Sequence, residues 1–368
     1  MTNLDYLRRR IYEGANYRLR TIAHGRWASQ CRPISIALLM TERCNARCIH
    51  CDIWKNRGKE DRPSQEQWQA LLKDLRLWLG PVQVVFSGGE ALLNRSTIEL
   101  VRYASSIKLF VELLTHGFWE DQKKIEMLAA AARPGRVTIS LDGVGSVHNT
   151  VRGREGFFDR TEKTIQTLLR MRKTLALPLT IRLKTVIMKQ NLTDVCNVAH
   201  FAQRHGLEVF YQPIEQNYNT VENPSWFEES ETWPDDIPSA IAVVRELKQL
   251  KSDGLPIVNS REQLGAMIPY FENPAAHRVA VQAHAAHEKK LSCSALTMLQ
   301  IQANGDVTTC SSMPSIGSIE ERPIREIWSR RPRWWESGCC LAKRLIVVSS
   351  DRGMGAAPHA SIDGYGRR

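Results

Sequence analysis

Residues 34 to 213 predict an α/β fold built on a parallel sheet. Three observations carry this. Six short apolar, β-rich runs recur: Ile34–Met40, Val82–Phe86, Leu109–Leu114, Val137–Leu141, Leu179–Ile187 and Glu208–Tyr211. Stretches with helical periodicity separate them, and strands alternating with helices imply βαβ units with buried strands. Cysteine, glycine and charged motifs sit just after strand ends, where parallel α/β folds collect their chemistry.

The elements follow in order. Residues 3–22 read as a basic amphipathic helix, with Leu4, Leu7, Ile11 and Ala15 at helical spacing among Arg8, Arg9, Arg10, Arg18 and Arg20. Such a helix can pack on the main domain, lie on a membrane surface or meet an anion or RNA. Ser64 and Gln67 form a capping box. Trp68, Leu71, Leu72, Leu75 and Leu79 then give one apolar helix face, and Gly80 ends it. Further helices are expected near 95–107, 120–132, 157–173, 193–205, 237–253 and 260–271. Residues 214–236, rich in Asn, Glu, Pro and Trp, form a connection or a substrate lid. Near the C-terminus, Asn304-Gly305 marks a hairpin turn.

The 368-residue chain allows one large domain and a smaller one. Its 43% hydrophobic and 24% charged content is that of a soluble globular protein. No apolar run approaches the ~20 residues of a membrane span, and no signal-peptide core is evident. The formal charge of +11 permits nucleic acid, anionic lipid or phosphorylated partners without choosing among them. The nine cysteines include clusters that read, in a reducing cytoplasm, as metal sites.

The most informative stretch is Cys44-Asn45-Ala46-Arg47-Cys48-Ile49-His50-Cys51. Three thiolates on one short loop can hold three corners of an iron–sulfur cube and leave one iron open, because an ordinary cluster takes four. A zinc knuckle would need a fourth ligand, and His50, adjacent to Cys51, is badly placed to share the ion. The C-x3-C-x2-C spacing resembles the signature of the radical S-adenosylmethionine (SAM) enzymes.

That resemblance implies a partial (β/α)6 TIM-like barrel with a small C-terminal α+β auxiliary-cluster domain. It implies a [4Fe-4S] cluster on Cys44, Cys48 and Cys51 whose open iron takes SAM. Reductive cleavage of SAM would give a 5′-deoxyadenosyl radical that abstracts hydrogen from substrate. Ser87-Gly88-Gly89-Glu90 resembles the family's GGE motif, which grips the SAM amino group. Thr115-His116-Gly117 departs from the Thr-Asn-Gly often found there. Ser140-Leu141-Asp142-Gly143, then His148 and Val151-Arg152-Gly153, resembles a stretch in relatives with SPASM or Twitch extensions. It implies Ser140 and Arg152 at the SAM carboxylate, with Asp142 a cofactor contact or a turn residue. Lys184 and Gln212 are weaker candidates for the barrel mouth. The C-x11-G-x4-C run from Cys293 to Cys310 resembles the opening of a SPASM or Twitch domain. With Cys339 and Cys340 downstream, it implies one auxiliary cluster, better matched to Twitch.

The expected division is 1–33 helix and linker, 34–213 barrel, 214–290 connection, 291–348 auxiliary-cluster domain and 349–368 disordered tail. His277, His284 and His287 read as a solvated helix face. The function expected is a cytoplasmic radical SAM enzyme acting on a metabolite, carbohydrate or peptide, with flavodoxin or ferredoxin as electron donor. An RNA-modifying enzyme and a non-enzymatic iron–sulfur or zinc regulator are the alternatives.

Overall fold

A computed structural model describes residues 3–22, 28–56, 62–133, 135–217, 223, 225–274, 296–310 and 314–332. Its centre is a nine-stranded sheet. Strands β1 (Ser35–Leu39), β2 (Gln83–Ser87), β3 (Phe110–Thr115), β4 (Gly135–Ser140), β5 (Leu179–Ile187) and β6 (Glu208–Pro213) lie side by side in chain order, each parallel to the next. All six lie where the apolar runs put them, with ends shifted by a residue or two. On the other side of β1, strand β7 (Met298–Ile301) pairs in parallel, Ser35 opposite Met298. The hairpin partner β8 (Asp306–Thr308) and β9 (Gly317–Ser318) complete the sheet antiparallel. The C-terminal hairpin turns at Asn304-Gly305 as expected, with Gly305 at φ +86°, and it extends the barrel sheet itself.

Helices α2 (Gln65–Leu79), α3 (Thr97–Ser106), α4 (Gln122–Ala131), α6 (Phe157–Thr174) and α7 (Val195–His205) connect the strands. The Ser64–Gln67 capping box forms, and all five apolar residues expected on α2 are buried. A short helix not anticipated, α5 (Ser146–Arg152), lies between Gly145 and Gly153. Past β6, α8 (Ile237–Ser252) is continuous. The helix expected over 260–271 is two pieces, α9 (Arg261–Gly265) and α10 (Met267–Glu272). Pro269 explains the break: it has no N–H for the Gly265 carbonyl, and is tolerated in the first turn of a new helix. Helix α11 (Ile324–Ser329) packs on α2, with Trp328 beside Trp78 at 6.3 Å and its indole N–H donated to the Cys31 carbonyl at 3.0 Å.

The N-terminal helix α1 (Asn3–Ile22) is the predicted one, but it docks through its polar stripe. Arg9 donates to the Gln83 side chain at 2.6 Å and covers Phe110 at 4.3 Å. The Tyr12 hydroxyl donates to the Pro33 carbonyl, and Asp5 and Asn16 are buried. Leu4, Leu7 and Ile11 remain more than half exposed. Gln83 and Phe110 begin their strands, so α1 covers the end of the sheet away from the cysteine loop.

Candidate active site

The cysteine loop leaves β1 and is held from two sides by backbone. On one side, the Gly89 N–H donates to the Thr41 carbonyl at 2.8 Å and the Glu90 N–H to the Arg43 carbonyl at 2.9 Å. A Cβ on Gly88 would stand 2.3 Å from the Thr41 oxygen, and one on Gly89 2.4 Å from the Arg43 oxygen. The two glycines are required by this approach, as well as by the φ of +127° at Gly88. On the other side, the Arg47 N–H donates to the Arg152 carbonyl at 3.2 Å and the Ile49 N–H to the Val151 carbonyl at 3.1 Å. Gly153, at φ +66°, lies so close to Arg47 that a Cβ would be 2.2 Å from its carbonyl oxygen. Beneath the loop, Phe118 and Phe157 stack at 4.5 Å and pack with Ala46 and Cys48.

Cys44, Cys48 and Cys51 all line one cavity of about 580 Å³. Its walls draw on every strand from β1 to β6: Ala37, Leu39, Ser87, Leu114, Ser140, Lys184, Val186 and Gln212 among them. One cavity lined from all six strands requires the sheet to curve around it, as a partial barrel does. Gln300 of β7 also reaches it, as do Ile214 to Asn217 after β6 and Trp54.

The sequence-derived site residues fall into two groups. Gly88, Gly89, Glu90, Ser140 and Arg152 border the cavity, as do Lys184 and Gln212. Asp142 does not border it: fully buried, it pairs with Arg152 at 2.5 Å and accepts the Val186 N–H at 2.9 Å. The Glu90 carboxylate is turned to the protein, accepting from the Leu92 N–H (3.2 Å), the Thr115 hydroxyl (3.0 Å) and the His116 N–H (2.9 Å). His116 joins this network to the cysteine loop. Its Nδ1 accepts the Phe118 N–H, so its Nε2–H faces Asn45 Oδ1 at 2.7 Å, with Glu90 at 3.2 Å. Of the auxiliary-cluster candidates, Cys310 is buried just past β8. Cys293, Cys339 and Cys340 lie outside the described residues, as do His277, His284, His287 and the tail.

Sequence reasoning singled out neither Asn45 nor Phe157, and met Glu215 to Asn217 only as part of the 214–236 connection or lid. The last group follows β6, so the rule that chemistry collects after strand ends was its available signal. Phe157 had none, because its contact with the loop spans more than a hundred residues.

Burial sets the electrostatics. It raises the Cys44 thiol to about 12 and Cys51 upward, so these thiols keep their protons until a metal displaces them. It lowers His50 to about 4 and His116 and His148 to about 3. It raises Glu90 to about 7 against the pull of its hydrogen-bond donors. Burial pushes Asp142 up most strongly, but Arg152, His50, His148 and the Val186 N–H together hold Asp142 below the usual carboxylate range. Lys184 is lowered by burial, opposed by Glu215.

An acid response follows. Between about pH 4.5 and 6.5 the unfolded chain protonates three imidazoles that the native state keeps neutral, while native Glu90 keeps one proton that the unfolded chain loses. The unfolded state thus binds about two more protons, and stability falls on acidification by roughly 2–3 kcal/mol per pH unit. Urea midpoints of metal-free protein at pH 6.5 and 5.5 measure this; equal midpoints would show that the imidazoles are not held neutral.

Three thiols on one loop at a cavity wall are suited to a cubane. Among the described residues no three His, Cys, Asp or Glu side chains are grouped to hold one metal ion. A cubane makes no such demand, since each thiolate takes its own iron.

Comparison with known proteins agrees with this geometry. Residues 38–202 match the model of the radical SAM superfamily. Residues 293–337 match SPASM, an iron–sulfur cluster-binding domain; the match includes Cys293 and Cys310 and stops short of Cys339. These matches place a radical SAM domain over residues 38–202 and a SPASM domain over residues 293–337. The sporulation killing factor maturation protein SkfB of Bacillus subtilis is 30% identical over 179 residues, 48% of this chain and 42% of that protein. The chain thus spans less than half of that relative. The AdoMet-dependent heme synthase of Methanosarcina barkeri is 25% identical over 80% of this chain and 82% of that one. Streptococcus suis SuiB, solved with S-adenosylmethionine, superposes with a TM-score of 0.63 at 14% identity, over 87% of this chain and 75% of that one. That likeness confirms the partial-barrel fold with its C-terminal extension. The two domains imply a [4Fe-4S] cluster, SAM and an auxiliary iron–sulfur cluster. Among the described residues no helix is long and apolar enough to cross a membrane.

Proposed function

We propose that this chain is a radical SAM enzyme that abstracts hydrogen from a peptide held at the cavity. The observation that carries this reading is the opening of Cys44, Cys48 and Cys51 into one cavity with Ser140 and Arg152. Cluster and SAM together supply, when bound, reductive cleavage to a 5′-deoxyadenosyl radical. The chain's own residues hold and orient them. Cys44, Cys48 and Cys51 ligate the cluster. The Gly88-Gly89-Glu90 turn, Ser140 and Arg152 border the SAM site and offer it polar groups. Apolar walls at Leu39, Leu114 and Val186 keep water from the reacting centre. Cys293, Cys310 and one or both of Cys339 and Cys340 hold the auxiliary cluster. The setting is cytoplasmic, with flavodoxin or ferredoxin as electron donor.

A peptide is supported by the PqqA peptide cyclase of Rhodopseudomonas palustris and by SkfB, named for maturation of the sporulation killing factor. A tetrapyrrole is the second reading, supported by the long alignment with the heme synthase. The test is anaerobic incubation of the reduced, reconstituted protein with SAM and deuterated cell extract, fractionated into peptides and small molecules. The expected result is deuterium in 5′-deoxyadenosine from a peptide fraction. Transfer from a porphyrin fraction would select the second reading, and transfer only from RNA would overturn both.

A further inference from the structure

We propose that Arg152, partly offset by its buried counter-ion Asp142, sets the reduction potential of the cluster held at Cys48. The inference rests on the reading of Cys44, Cys48 and Cys51 as cluster ligands. Arg152 Nη1 donates to Cys48 Sγ at 3.3 Å, and Nη2 pairs with Asp142 Oδ2 at 2.5 Å. Asp142 is itself fixed, through its Oδ1 accepting the Val186 N–H at 2.9 Å and its own N–H donating to His148 Nδ1 at 3.1 Å. Asp142 and His148 are 0% exposed and Arg152 6%. The backbone of the arginine is tied to the same loop it serves, through the Arg47 and Ile49 hydrogen bonds and the close approach of Gly153. Cys48, Arg152 and Asp142 therefore form one buried line from ligand sulfur to carboxylate.

The consequence is electrostatic. Reduction adds one electron to the cluster, taken from an external donor. An N–H aimed at a ligand sulfur and a positive charge beside it both favour the reduced form, so they raise the potential. Burial leaves these effects little screened. Asp142 is the buried counter-charge one step further from the sulfur, so it partly offsets the guanidinium and acts in the opposite sense.

Opposite signs follow for the two residues, which a purely structural strut would not produce. The experiment is an EPR-monitored redox titration of the full-length, anaerobically reconstituted protein without SAM. The cluster in question is identified by the signal that changes when SAM is added to a parallel sample. Arg152→Gln should move its potential to more negative values and Asp142→Asn to more positive ones. Arg152→Lys, which keeps the charge and loses the fork, should fall between wild type and Arg152→Gln. An unchanged potential in Arg152→Gln, or a shift of the same sign in both variants, overturns the inference. Loss of the cluster in the Arg152 variants with an unshifted Asp142→Asn makes the pair a structural support and overturns it too. Wild-type protein that takes up no cluster overturns the cofactor reading and this inference together.

Discussion

Gly89→Ala is expected to abolish cluster assembly at the cysteine loop while leaving most of the barrel folded. The added Cβ would lie 2.4 Å from the Arg43 carbonyl oxygen and 2.8 Å from that of Glu42. Both are backbone atoms, so no rotamer change relieves the clash. The Glu90 N–H to Arg43 bond at 2.9 Å would break with it. Overpacking of this kind costs about 3 kcal/mol. Here that cost falls on the segment that spaces three thiols. The expected loss is about four irons per chain after reconstitution, with far-ultraviolet circular dichroism close to wild type. Gly14→Ala is the control, since nothing lies within 4 Å of a Cβ there. It should bind iron normally and gain slightly in stability, because alanine is the better helix former. Full iron uptake by Gly89→Ala would show that the loop does not depend on the glycine contact.

Phe157→Ala has the second large effect. Phe157 is 0% exposed, stacks on Phe118 at 4.5 Å and meets the edges of His116 and His148 at 5.4 Å each. Removing it empties the floor under Ala46 and Cys48. Buried Phe→Ala changes cost about 3–5 kcal/mol. Phe157 touches no cofactor candidate except through packing. Its loss should therefore appear as a lower urea midpoint and faster loss of iron to a chelator. Phe157→Leu, which refills most of the volume, should recover most of both. A Phe157→Ala protein with wild-type midpoint and iron retention would contradict the packing account.

Much of this fold was legible because its signals are local. The Ser64–Gln67 box, the five-residue face of α2 and the strand Leu179–Ile187 each depend on residues within one element. The pairing of β7 with β1 was not legible, since it joins Ser35 to Met298 across more than 260 residues. Helix α5 was read as motif rather than helix, because its N-cap is Gly145, with no side chain to cap it. The docking face of α1 was not legible, because pattern shows which residues are apolar, not which face finds a partner.

The site divides along the same lines. The spacing of Cys44, Cys48 and Cys51 placed three thiols on one loop, and the structure opens all three into one cavity. Gly88-Gly89 stood out as a motif, and the structure adds its close backbone approach to the cysteine loop. Asp142 and Arg152 were both singled out, but their pairing and the reach of Arg152 to Cys48 exist only in three dimensions. His116, a departure from the usual residue, gains a role by bridging Asn45 and Glu90.

Formation of 5′-deoxyadenosine is the direct measure of reductive SAM cleavage at the three-cysteine loop. Anaerobically reconstituted, dithionite-reduced protein should release 5′-deoxyadenosine and methionine slowly from SAM without substrate. The protein with Cys44, Cys48 and Cys51 all changed to Ala should release none while keeping about four auxiliary irons. Fully iron-loaded wild-type protein that yields no 5′-deoxyadenosine, beside an active radical SAM enzyme assayed in parallel, would contradict the account and leave an iron–sulfur regulator in its place.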